Sequence, residues 1–148
     1  MTLVSDFIAK VQAVHKTGAA TEHSYRSAFE ALFASLGVTA LNEPKRVKCG
    51  APDFIVSQGE IVIGHVEAKD LHIGIRGMKD NNKAQHFRYR AAAPNEIYTN
   101  GLDWDFYRDG TLTASVTIAD FVMGVIPKTD QYEALENLLR DFIAQKPQ

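Results

Sequence analysis

Two runs of strand-forming residues, Phe54-Ile55-Val56 and Ile61 through Val66, are separated by Gly59 and bordered by charges: Asp53 precedes the first, and Glu67 and Lys69 close the second. β-Branched and aromatic side chains fit extended backbone, and Gly59 supplies a turn, so residues 52–56 and 61–69 read as two strands of one hairpin. Both strands carry apolar residues at odd and even positions, as strands covered on both faces do. Glu67 and Lys69 are two apart, so their side chains leave one face while Ala68 points to the other. A carboxylate and an ammonium placed together at the end of an apolar strand must pair, reach solvent or bind something.

Asp53 joins them in only one register. A hairpin with the loop Ser57-Gln58-Gly59 sets Asp53 opposite Ile63 and leaves Glu67 about 13 Å further along. A wider loop, from Gln58 to Val62, pairs Ser57 with Ile63 and Asp53 with Glu67, at about 5 Å. In this second register two carboxylates and the Ala68 carbonyl form a hard oxygen set of the kind that Mg²⁺ or Mn²⁺ prefers. Lys69 then stands where it can deprotonate a water or balance charge developing on a phosphate, two roles that stay open. The plainer alternative is a turn-capping aspartate beside a surface ion pair.

Elsewhere the chain alternates helical and strand-like periods. Residues 3–16 are apolar at Phe7, Ile8, Val11 and Val14, a helical spacing. From Thr21, expected as an N-cap, a second helix carries Tyr25, Ala28, Phe29, Leu32, Phe33 and Leu36, stopped by Gly37. At about 100° per residue its stripe centres near Tyr25 and Phe29, which turns Glu22 inward and Glu30 outward. Residues 79–93 read as a helix ended by Pro94. Residues 96–99, 104–108 and 111–116 read as strands, the last two joined by an Asp109-Gly110 turn, and residues 130–145 as an amphipathic helix carrying Tyr132, Leu135, Leu138, Leu139 and Phe142. This order indicates one α/β domain around a mixed sheet.

Pro52-Asp53 followed by Glu67-Ala68-Lys69 resembles the signature of the PD-(D/E)XK nuclease superfamily. The stretches GAPDFIV, VEAKDL and NEIYTNGLDWDFYRDG, with Gln85-x-x-x-Tyr89, resemble the N-terminal nuclease domain of bacterial restriction-modification enzymes of types IIG and I SP, which fuse cleavage to adenine methylation. The likeness covers nearly the whole chain. It implies a restriction-endonuclease-like core, a central mixed β-sheet flanked by α-helices, acting as a Mg²⁺-dependent DNA endonuclease in which Mn²⁺ can substitute. It also implies that Glu22 assists the metal site formed by Asp53, Glu67 and Ala68, and that Gln85 helps hold the nucleophile or the DNA backbone. Residues 1–148 are then a single nuclease domain at the N-terminal end of a longer polypeptide that also holds methyltransferase and target-recognition domains. Cleavage by the domain alone is expected to be weak or nonspecific, and cutting both strands of double-stranded DNA to require a second copy in a transient dimer.

Charge agrees with a DNA partner only locally. The chain is −2 overall, yet between residues 76 and 90 five basic residues, Arg76, Lys79, Lys83, Arg88 and Arg90, face one acid, Asp80. Beside the site, Arg76, Lys79, Lys83, Arg88 and Tyr89 are expected to hold DNA, and binding to be salt-sensitive; otherwise the run is a solvated helix face. The single cysteine, Cys49, excludes an internal disulfide and a multi-cysteine zinc site, and reads as a free thiol. His65 reads as packed or hydrogen-bonded, Trp104 and Phe106 as core or strand-surface residues. No Gly-rich phosphate loop suggests ATP use, no apolar run is long enough to span a bilayer and no secretory signal opens the chain, so a cytoplasmic location is expected. A junction-resolving or repair nuclease of the same fold, or an inactive DNA-binding or assembly module, are the alternatives.

Overall fold

A computed structural model describes residues 2–16, 25–42, 54–69, 95–121 and 124–144. Helix α1 (Leu3–His15) starts where the Thr2 hydroxyl accepts from the Ser5 amide at 3.1 Å, satisfying one of the orphan donors of the first turn. Its buried residues, Val4, Phe7, Ile8 and Val11, fall on one stripe. Helix α2 (Arg26–Ser35) buries Ala28, Phe29, Leu32 and Phe33 and leaves Glu30 exposed, as its periodicity requires. Its N-cap position is Tyr25, whose side chain makes no capping bond; Thr21, expected as an N-cap, lies outside the described residues along with Glu22. The last helix, α3 (Tyr132–Ile143), follows a short 3₁₀ turn (Thr129–Gln131) and buries Leu135, Leu139 and Phe142. Among the described residues no helix is long and apolar enough to cross a membrane.

Six strands form one sheet in chain order: β1 (Thr39–Asn42), β2 (Phe54–Gln58), β3 (Ile61–Ala68), β4 (Asn95–Thr99), β5 (Asp103–Arg108) and β6 (Thr111–Thr117). All neighbours are antiparallel except β3 and β4, which run parallel. A parallel pair needs a long crossover, and the chain between Lys69 and Asn95 has the length for one. The expected helix at 79–93 falls there, outside the described residues. Periodicity did not signal β1, nor the separate ribbon of β7 (Ala119–Phe121) and β8 (Val125–Pro127). These short strands have too few residues to show a period.

The two faces of the sheet differ. On one, Phe54, Val56, Val66, Ile97, Trp104, Phe106 and Val116 pack with α1, α2 and α3 into a single core. Its centre is aromatic: the Phe7 ring lies 5.1 Å from Phe29 and 5.8 Å from Trp104, and Phe29 lies 5.8 Å from Phe54. Trp104 and Phe106 are thus core residues. On the other face Tyr98 and Tyr107 form a small cluster of their own.

Gly64 on β3 shows how closely α3 approaches. A Cβ there would sit 2.7 Å from the Asn95 carbonyl oxygen and 2.7 Å from the Phe142 ring. Backbone on one side and a buried ring on the other leave little room to yield, so Gly64→Ala is expected to cost about 1–3 kcal/mol. Urea unfolding would measure it, and an unchanged midpoint would mean that α3 does not press on β3 in this way.

Candidate active site

The hairpin of β2 and β3 is neither of the two considered from sequence. Gln58 pairs with Ile61 across a two-residue turn, Gly59-Glu60, with Gly59 at φ +62°, a conformation that glycine adopts without strain. Ser57 pairs with Val62 and Val56 with Gly64, so Ile63 is an extra residue, a β-bulge. The wider loop is therefore absent, yet the bulge has the same effect on register. Beyond it Ile55 pairs with His65 and Phe54 with Val66, the pairing that the wider loop would have given at these positions. Without an extra residue the tight turn would put Ile55 on the face of Gly64 and Val66, because a one-residue slip exchanges the faces.

His65, Glu67 and Lys69 thus share the face opposite the helical core. The Lys69 Nζ lies 3.7 Å from Glu67 Oε1, with the Glu67 side chain 3% exposed and that of Lys69 17% exposed. The pair sits where the chain leaves the sheet: β3 ends at Ala68, and the Lys69 amide donates to the Thr99 carbonyl at 2.8 Å, fixing the strand end against β4. Ala68 points its side chain into the core, as expected from alternation. The ammonium, partly open to solvent, bridges a buried carboxylate and the outside.

Across the sheet the same face carries more buried polar groups than the sequence suggests at first reading. His65 is opposite Glu96 and Glu67 opposite Tyr98 in the parallel pair; Tyr98 is opposite Asp105, and Asp105 opposite Ser115. Glu96 and Tyr98 are 1% exposed and Asp105 4%. The Ser115 hydroxyl donates to Asp105 at 2.8 Å and that of Thr117 to Asp103 at 2.7 Å. The signal was the alternation in NEIYT and DWDFYR, which separates Glu96, Tyr98, Asp105 and Tyr107 from Ile97, Trp104 and Phe106.

Of the residues named from sequence, Glu67, Ala68 and Lys69 are described. Asp53, Glu22, Gln85, Arg76, Lys79, Lys83, Arg88 and Tyr89 lie outside the described residues, as does Cys49. Among the described residues no three His, Cys, Asp or Glu side chains are grouped to hold a metal ion. The Glu67 carboxylate and the Ala68 carbonyl are oxygen donors of the type a hard divalent cation takes, and they fit such an ion as part of a larger set.

No family model and no curated protein matches the chain. Among solved structures, it is similar to a chain in the cryo-EM structure of a DrdV–DNA complex, with a TM-score of 0.73 at 19% identity; the match covers 98% of this chain and 14% of that one. The likeness carries the fold: a restriction-endonuclease-like α/β architecture, with a central, mostly antiparallel six-stranded sheet and flanking helices.

Proposed function

We propose that this chain is a metal-dependent DNA nuclease, the cleavage module of a bacterial restriction-modification enzyme. The observation that carries the reading is the buried Glu67 with Lys69 at the end of β3, in a hairpin whose register puts Ile55 of β2 on their face. Asp53 lies outside the described residues; alternation continued past Phe54 would set it opposite Glu67. Asp53, Glu67, the Ala68 carbonyl and Glu22 would hold Mg²⁺, or Mn²⁺ in its place. Such an ion supplies Lewis acidity toward water and the scissile phosphate.

The chain's own groups do the rest. Lys69, anchored by its amide to Thr99, takes a proton from the attacking water or balances charge on the phosphate as a P–O bond breaks. Gln85 holds the nucleophile or the DNA backbone, and Arg76, Lys79, Lys83, Arg88 and Tyr89 hold the duplex. The similar structure is a complex with DNA, which supports the choice of substrate, and DrdV is a restriction enzyme. Because this chain spans only 14% of that one, we further propose that it works beside methyltransferase and target-recognition domains of the type IIG or I SP kind, in the cytoplasm, pairing transiently with a second copy to cut both strands.

Supercoiled plasmid incubated with the chain and Mg²⁺ or Mn²⁺ is expected to become nicked, and a chelator to stop it. Preferential cutting of branched over linear DNA would instead favour a junction-resolving nuclease, and absence of both nicking and metal binding would leave an inactive DNA-binding module.

A further inference from the structure

The bulge in β3 and the end of α3 share one side chain. Asn95, at the start of β4 and 7% exposed, donates through its amide nitrogen to the Ile63 carbonyl at 3.3 Å and to the Phe142 carbonyl at 3.0 Å. Each acceptor is a group that its own element leaves short of a partner. Phe142 lies in the last turn of α3, where carbonyls have no intrahelical donor. Ile63 is the residue that the bulge leaves out of the β2–β3 ladder. A primary amide has two N–H donors, so one Asn95 nitrogen serves both. The Phe142 ring meanwhile rests on Gly64, the residue after the bulge, so α3, the bulge and β4 meet at one point.

The hairpin has two ways of accommodating its extra residue without changing the pairing of Phe54 with Val66. One is the bulge seen here; the other is a longer loop with Ser57 paired to Ile63. A bulge increases the local twist of its strand and re-aims the residues that follow, and Glu67 and Lys69 follow on the same strand. We infer that Asn95 is a positioning residue for the proposed nuclease site: by holding the Ile63 bulge to the end of α3, it sets the direction from which β3 presents Glu67 and Lys69. The inference rests on the nuclease reading and adds to it a residue on the opposite side of β3 from the ion pair. Asn95 itself touches neither of the two reacting side chains.

The test compares the chain with Asn95→Asp, which keeps the shape but replaces both donors by acceptors, and Asn95→Ala, which removes the amide altogether. Val116→Ala serves as a control for lost stability, since Val116 is buried on β6, three strands along the sheet from β3. Circular dichroism first sets a temperature at which each protein is folded; should Asn95→Asp not fold, Asn95→Ala carries the comparison. Two quantities are then read: the Mn²⁺ concentration for half-maximal nicking of supercoiled plasmid, and Mn²⁺ binding by water-proton relaxation. Both midpoints are expected to rise about tenfold in the Asn95 variants and to stay within twofold of the original in Val116→Ala, in line with the 10- to 100-fold typical for residues that orient metal ligands. Folded Asn95 variants with unchanged midpoints would overturn the inference and leave the nuclease reading standing. A parent chain that neither binds Mn²⁺ nor nicks would remove the nuclease reading, and the positioning role with it.

Discussion

Lys69→Ala is expected to reduce metal-dependent nicking by about 10²–10⁴-fold, the range supplied by a side chain that moves a proton or stabilises charge in the transition state. The geometry suits the charged Lys69 to the second task; to take a proton from water it must first lose one of its own. Its ammonium is 3.7 Å from Glu67 Oε1, longer than a direct charge-assisted hydrogen bond, so the two groups attract without locking together. Its side chain is partly exposed, and its backbone is fixed by the bond to Thr99. Lys69→Met, which keeps the apolar stem, should lose activity as fully while staying as well folded. Plasmid nicking at matched folded protein, with Mn²⁺ raised to saturation, separates lost chemistry from lost metal. Activity retained by Lys69→Ala would move the chemistry away from the end of β3. Glu67→Gln tests the other half of the pair, and its defect should include weaker metal binding.

Trp104→Ala is expected to cost about 3–5 kcal/mol of stability. Trp104 is fully buried, its ring is 5.8 Å from both Phe7 and Phe29, and its indole N–H donates to the Gly101 carbonyl at 3.1 Å. Truncation opens a cavity between the sheet and the two N-terminal helices and removes the donor from a carbonyl at the β4–β5 turn. Domains of this size are stable by only about 5–15 kcal/mol, so one substitution removes about a fifth of that or more. At about 2–4 °C per kcal/mol the melting midpoint should fall by roughly 6–20 °C. Calorimetry measures it; a fall of only one or two degrees would mean that the aromatic centre does not hold the helices to the sheet.

The reach of the sequence is clearest in the elements with enough residues to show a period. Phe7, Ile8 and Val11 on α1, Phe29, Leu32 and Phe33 on α2, and Leu135, Leu139 and Phe142 on α3 are apolar at helical spacing, and all are buried. The Asp109-Gly110 turn closes the β5–β6 hairpin, with both residues at positive φ, as the dipeptide signals. Strand alternation alone fixed that Glu67 and Lys69 share a face and that Ala68 opposes them, because successive side chains of a strand point opposite ways whatever surrounds it.

Other features depended on what the chain meets after folding. Alternation places Glu96 and Asp105 opposite in face to Ile97 and Trp104, but their burial depends on β4 and β5 standing beside β3. The hairpin loop was misjudged because two loop lengths fit the same residues. The structure took neither: a short turn at Gly59 and a bulge at Ile63 replace both loops, and the bulged carbonyl is held by the amide of Asn95, more than thirty residues away. Local backbone preference and side-chain period thus determined which residues could carry the site. The register of β2 on β3, and the contacts of the helix end and the Asn95 amide with the bulge, came from the tertiary structure, because satisfying a bulged carbonyl requires a donor from another element.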